Sequence, residues 1–70
     1  MPVLDSEMLI AAYYNDERRE LTAIFHPDGR TYIYSDVPRR EFDGLLAADS
    51  HGTFFNANIR DRYAFRELRR

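Results

Sequence analysis

Two tyrosines stand two residues apart at Tyr32 and Tyr34, and Asn56 stands four residues before Arg60. Aromatic rings carried on one face of a strand can stack unpaired bases, each contact worth about 1–3 kcal/mol. An amide and a guanidinium at i and i+4 share one side of a helix and can form a single polar site. Arg62 and Arg66 extend the basic series toward a phosphate backbone or an acidic partner surface. Tyr32, Tyr34, Arg60, Arg62 and Arg66 are therefore the candidate nucleic-acid-binding residues. Each has a structural alternative: the tyrosines as core residues whose hydroxyls reach water or backbone, the arginines as a solvated helix face. Every basic side chain is Arg and none is Lys, a pattern that the coding bias of a GC-rich genome produces, so no single Arg signals bidentate recognition by its type alone.

Other reactive types occur without a constellation. His26 lies near Asp28 and His51 near Asp49, but all four stand in turn-like contexts, and no metal ligand set is expected from them. Asp49, Ser50 and His51 are triad residue types in a row; triad members converge from separate elements, so a helix cap is the better reading of Ser50. None of the three glycines belongs to a phosphate-cradling loop. With no nucleophile, base and orienting group to name, the chain reads as a non-enzyme with no catalytic residue and no cofactor.

The elements that hold these residues follow from patterning. Glu7 to Tyr14 is a short apolar block with aromatic and β-branched members, read as a strand, with Asn15 and Asp16 able to close a turn through their own side chains. Glu20 to His26 alternates, with Leu21, Ala23 and Phe25 on one face and Thr22, Ile24 and His26 on the other. His26-Pro27-Asp28-Gly29 marks a hairpin turn, read as type I with a bulge and Gly29 left-handed. Arg30 to Ser35 is the third strand. The turn admits two loop lengths of opposite parity; the favoured register sets Tyr32 and Tyr34 beside Leu21, Ala23 and Phe25. Pro38 opens a helix whose stripe is Phe42, Leu45 and Leu46, to be laid over the tyrosines, with Gly44 either closely packed or merely tolerated. Ser50 caps a second helix with Phe55, Ile59 and Tyr63 at every fourth residue. Residues 64–70 either extend across the sheet or fray as a basic tail. The predicted fold is α+β: a three-stranded antiparallel β-meander followed by two helices packed on one face.

Composition bounds the rest. Seventy residues with 44% hydrophobic and 14% aromatic content make a single domain, residues 1–70, with a packed core. The absence of cysteine excludes a disulfide framework and a thiolate zinc site. The first apolar run has no basic flank and is too short to span a bilayer, so no membrane association and a cytoplasmic location are expected. The net charge of −2 is unevenly spread: six acids face two arginines up to Gly29, whereas five arginines face two acids from Ser50 onward. A general phosphate-binding surface does not follow from this balance.

The ordered series Leu21-x-Ala23-x-Phe25, Gly29, Tyr32-x-Tyr34, Val37-Pro38, Ser50-x-Gly52, Phe54-Phe55-Asn56, Ile59-Arg60 and Tyr63 resembles the KTSC domain. That family occurs at the C-terminus of some lysyl-tRNA synthetases and as free-standing short bacterial proteins. The resemblance implies RNA or an RNA-associated protein as partner, with the family's YxY motif falling on Tyr32 and Tyr34. The reading is thus a small non-catalytic binding module for RNA. The competing reading is a protein-interaction module or homodimer that uses a sheet edge or a helix face.

Overall fold

The computed structural model describes residues 8–69 and forms β1 (Leu9–Asn15), β2 (Glu20–Phe25), β3 (Arg30–Tyr34), α1 (Arg39–Ala47), α2 (His51–Asn58) and β4 (Phe65–Leu68). Glu7, the expected start of the first strand, and Arg70, the end of the basic tail, lie outside the described residues. The strands make one antiparallel sheet in the order β1-β2-β3-β4. The three-stranded meander is therefore corrected to a four-stranded one. Phe65–Leu68 does not fray: it pairs with β3, and the backbone bond from Ser35 N to Ala64 O (2.8 Å) extends that ladder toward the turn.

Each β-hairpin has its own local cause. At β1–β2 the Asn15 side-chain oxygen accepts from Glu17 N (3.0 Å) and Arg18 N (3.1 Å), which bends the chain without a glycine. At β2–β3 the loop is the four-residue His26–Gly29, closed by Gly29 N to Phe25 O at 2.9 Å, with Gly29 at φ 72° and a cis His26–Pro27 peptide. This loop sets Leu21 opposite Tyr34 and Ala23 opposite Tyr32, which is the favoured register. Leu21, Ala23 and Tyr34 are buried, and Phe25 and Tyr32 pack beside them.

Both helices cover that face. Pro38 precedes α1, and Phe42 and Leu45 enter the core, while Leu46, 36% exposed, sits at the edge of the stripe. Ser50 caps α2 as expected, its hydroxyl accepting from Thr53 N at 3.3 Å. The helix stops at Asn58 with Ile59 as its C-cap, so Tyr63 stands outside it, although the every-fourth-residue pattern carries the apolar series that far. Tyr63 instead donates to the Glu41 carboxylate (3.1 Å) and ties the following turn to α1. Gly44 is a close-approach glycine: a Cβ there would stand 2.7 Å from Phe54 Cζ, so α2 packs on α1 through the space that a side chain would fill.

One expectation about layering needs correction. The ring set over Tyr34 is Phe55 of α2, at 5.3 Å between centroids, whereas Phe42 of α1 stacks on Tyr14 at 5.5 Å. The proline-led helix therefore covers the β1 side of the sheet, and the second helix reaches the tyrosine strand.

Candidate functional site

At the β3–β4 side of the helix layer the aromatic rings do not close. Phe25, Tyr32, Tyr34, Phe55 and Phe65 line a groove of about 470 Å³, and Asn56, Arg60 and Asp61 stand along it. The sheet dictates the ring positions. Tyr32 and Tyr34 share a face because they are two apart on β3, and Phe65 joins that face because it pairs with Tyr34. The rings meet largely edge to face: Phe25 with Tyr32 at 5.6 Å, Tyr32 with Phe65 at 5.7 Å, and Phe55 with both Phe25 and Tyr34 at 5.3 Å. Such contacts add about 0.5–1.5 kcal/mol each beyond burial and hold the wall in shape.

The two tyrosines are core and site together. Tyr34 is only 4% exposed, yet its hydroxyl has no hydrogen-bond partner among the described residues. No fully buried side-chain polar atom there lacks a partner, so that oxygen reaches the groove rather than a sealed void. Tyr32 is half-buried, and its hydroxyl likewise has no partner among the described residues. Burial pushes the Tyr34 phenol above its ordinary 10.0; Arg60 pulls it back, while Tyr32 and Asp61 add to the rise. The guanidinium and the carboxylate line the same groove as that phenol.

The end of α2 supplies the polar rim. Ile59 N and Arg60 N both bond to Phe55 O, at 2.9 and 3.0 Å, and Arg62 N bonds to Ile59 O at 3.1 Å. This tight turn delivers Arg60 and Asp61 to the groove after Ile59 has gone into the core. Arg60 Nη1 reaches Asn56 Oδ1 at a long 3.5 Å, which realises the polar pair expected from their spacing and leaves most of the guanidinium open.

The other candidate residues do not join this site. Arg66 pairs with Ile33, so its side chain lies on the face of the sheet away from the helices, where it meets Glu20 at 3.4 Å across β3. Parity decides this: Phe65 and Glu67 face the helices, hence Arg66 cannot. Arg62 is exposed in the turn and lines no part of the groove; its charge acts on Tyr63 near α1. Conversely, Phe25, Phe55, Phe65 and Asp61 were not among the candidate residues. Phe25 was legible from the register it shares with Tyr32, whereas Phe65 depended on a strand that was one of two alternatives for residues 64–70, and Asp61 had no signal of its own.

The histidines take other places. His51 Nδ1 lies 2.8 Å from Leu45 O at the end of α1, and His26 is exposed in the β2–β3 turn. Neither they nor Asp49 line the groove. Among the described residues no three His, Cys, Asp or Glu side chains converge, and no helix is long and apolar enough to cross a membrane. What the groove can do chemically is hold a flat group between rings and meet its edge with donors and an acceptor.

Relatives match over nearly the whole chain. A protein of Tsukamurella paurometabola is 38% identical over 63 residues, spanning 90% of this chain and 92% of its own length. The crystal structure of a KTSC domain protein from Yersinia pestis superposes with a TM-score of 0.91 at 29% identity, over 99% of this chain and 94% of that one. The KTSC domain pattern itself matches residues 5–63, a span that runs from before β1 through Tyr63 and includes Tyr32, Tyr34, Arg60 and Asp61. Together the extent of that match and the shared fold settle kinship: the chain belongs to the KTSC domain family.

Proposed function

We propose that this chain is a small non-catalytic binding module whose groove holds one unstacked nucleobase of a single-stranded RNA. The observation that carries this reading is the unclosed aromatic wall of Tyr32, Tyr34, Phe25, Phe55 and Phe65, with two tyrosine hydroxyls and Arg60 left open along it. A base offers the groove a π-face for its rings and a hydrogen-bonding edge for its rim. One stacked base contributes about 1–3 kcal/mol, so stacking alone would hold a single nucleotide with a Kd of about 6–200 mM, and rim contacts or a longer strand must add to it.

Charge limits the rest. Among the described residues Arg60 is the one cation lining the groove, and Arg66 is held on the other face. Binding to single-stranded RNA is therefore expected to fall with salt by a log–log slope of about −0.7 for each phosphate met, with one or two phosphates involved. Titration of the chain with tRNA and with unstructured RNA, at low and at moderate salt, tests this through tyrosine emission, since there is no tryptophan. Saturable quenching with a shallow salt slope, lost in Tyr32→Ala, is the expected result. No change with either RNA at either salt concentration contradicts it.

A second reading has its own observation. Among the described residues β4 has a strand neighbour on one side only, with Phe65 57% and Leu68 56% exposed. An open, apolar edge of this kind can pair with a second chain. Sedimentation separates the two: self-association lost in Leu68→Glu, with RNA ignored, would favour the edge over the groove.

A further inference from the structure

Resting on the nucleobase reading of the groove, we propose that the base it selects is guanine, through the Asp61 carboxylate and the Arg60 guanidinium. Asp61 makes no ion pair and no hydrogen bond among the described residues, and Arg60 makes only the 3.5 Å contact to Asn56. Both line the groove beside the rings. The rim thus presents a two-oxygen acceptor and a multi-donor fork that the protein itself leaves uncommitted.

Guanine matches that pair. Its N1–H and N2–H₂ groups point the same way and give a carboxylate two parallel hydrogen bonds, while O6 and N7 accept from a guanidinium. Adenine and cytosine each offer a carboxylate one exocyclic amino group with no ring N–H beside it. Uracil offers one ring N–H flanked by two carbonyl oxygens, which a carboxylate repels. The base is neutral, as is the Arg60–Asp61 rim taken together, so selection here rests on hydrogen-bond direction rather than on net charge. Asn56 lines the same groove and can add an amide donor or acceptor.

The test uses the full chain with the 5′-monophosphates of guanosine, adenosine, cytidine and uridine, and inosine 5′-monophosphate, whose base lacks the N2 amino group. Binding is read from backbone amide shifts. Guanosine monophosphate is expected to bind at least about tenfold tighter than the other three standard nucleotides, as for a good bidentate pair, with the inosine nucleotide between. Asp61→Asn should bring guanosine monophosphate down to the level of the others without weakening adenosine monophosphate; Asp61 is exposed, and a melting curve checks that the variant folds. Equal binding of the four standard nucleotides overturns guanine selection and leaves the nucleobase reading standing. Binding of none overturns both, and a guanine preference that survives Asp61→Asn overturns the role of Asp61.

Discussion

Two corners of this molecule are built from the same three residue types and come out differently. At one, Tyr14 stacks on Phe42 and the Arg39 guanidinium stands 5.7 Å from each ring centre. At the other, Tyr32 and Tyr34 meet Phe65 with Arg60 nearby. In the first corner every polar end is committed. Tyr14 donates to Val37 O at 2.6 Å, and Arg39 binds Asp16 at 2.8 Å and Asp43 at 3.2 Å, bonds that raise its affinity for its proton still further. In the second, among the described residues, the hydroxyls have no partner and Arg60 has one long contact. Residue type does not separate a structural corner from a binding one; whether the protein satisfies its own polar ends does.

The comparison should fail for the deepest rings and hold for the polar ends. Phe55→Ala beneath the groove and Phe42→Ala beneath the closed corner are each expected to cost about 3–5 kcal/mol, because both rings are buried. Urea unfolding measures this; a cost under about 1 kcal/mol at either site would mean that its ring is not supporting the core. Gly44→Ala comes next. Overpacking of about 1–3 kcal/mol against Phe54 outweighs the roughly 1 kcal/mol that alanine gains over glycine in a helix, so a net loss is expected.

Tyr14→Phe against Tyr34→Phe separates the corners directly. Removing the Tyr14 hydroxyl strands the carbonyl of the fully buried Val37 and should cost about 1–2 kcal/mol, whereas removing the Tyr34 hydroxyl breaks no hydrogen bond among the described residues and should be near neutral at pH 7. Equal costs would erase the distinction.

The smallest effect is in alkali. Burial raises the Tyr34 phenol in the fold, so its contribution is whole below the ordinary 10.0 and is lost as pH climbs from there through the raised value. Melting temperature should drop over that range, and less steeply in Tyr34→Phe. A slope that the variant leaves unchanged would show that the phenol does not contribute. Tyr63, raised by burial and by its bond to Glu41, adds to the same decline and remains in the variant.

Sequence patterning reached most of the scaffold because local chemistry and tertiary packing agree there. The alternation at Leu21, Ala23 and Phe25, Gly29 in the turn, Pro38 before α1 and Ser50 at the cap of α2 all do in the fold what their types suggest. It did not give β4. Phe65 and Leu68 fall on opposite faces with charges between, so no alternation announces a strand, and only the free side of β3 makes one. It carried the second helix too far, because Phe55, Ile59 and Tyr63 are all packed inward although only the first lies within the helix. Three of the five candidate residues, Tyr32, Tyr34 and Arg60, meet in the groove; Arg62 stays in the turn, and Arg66 needed the register of β4 to be assigned to the other face.

The most direct test of the account is a map of amide and side-chain shifts as a short single-stranded RNA carrying all the common bases is added. The account expects changes at Tyr32, Tyr34, Phe65, Arg60 and Asp61, and none at Tyr14, Phe42 and Arg39. Shifts centred on the Arg39 corner, or on Ile33 and Arg66 across the face away from the helices, would contradict it.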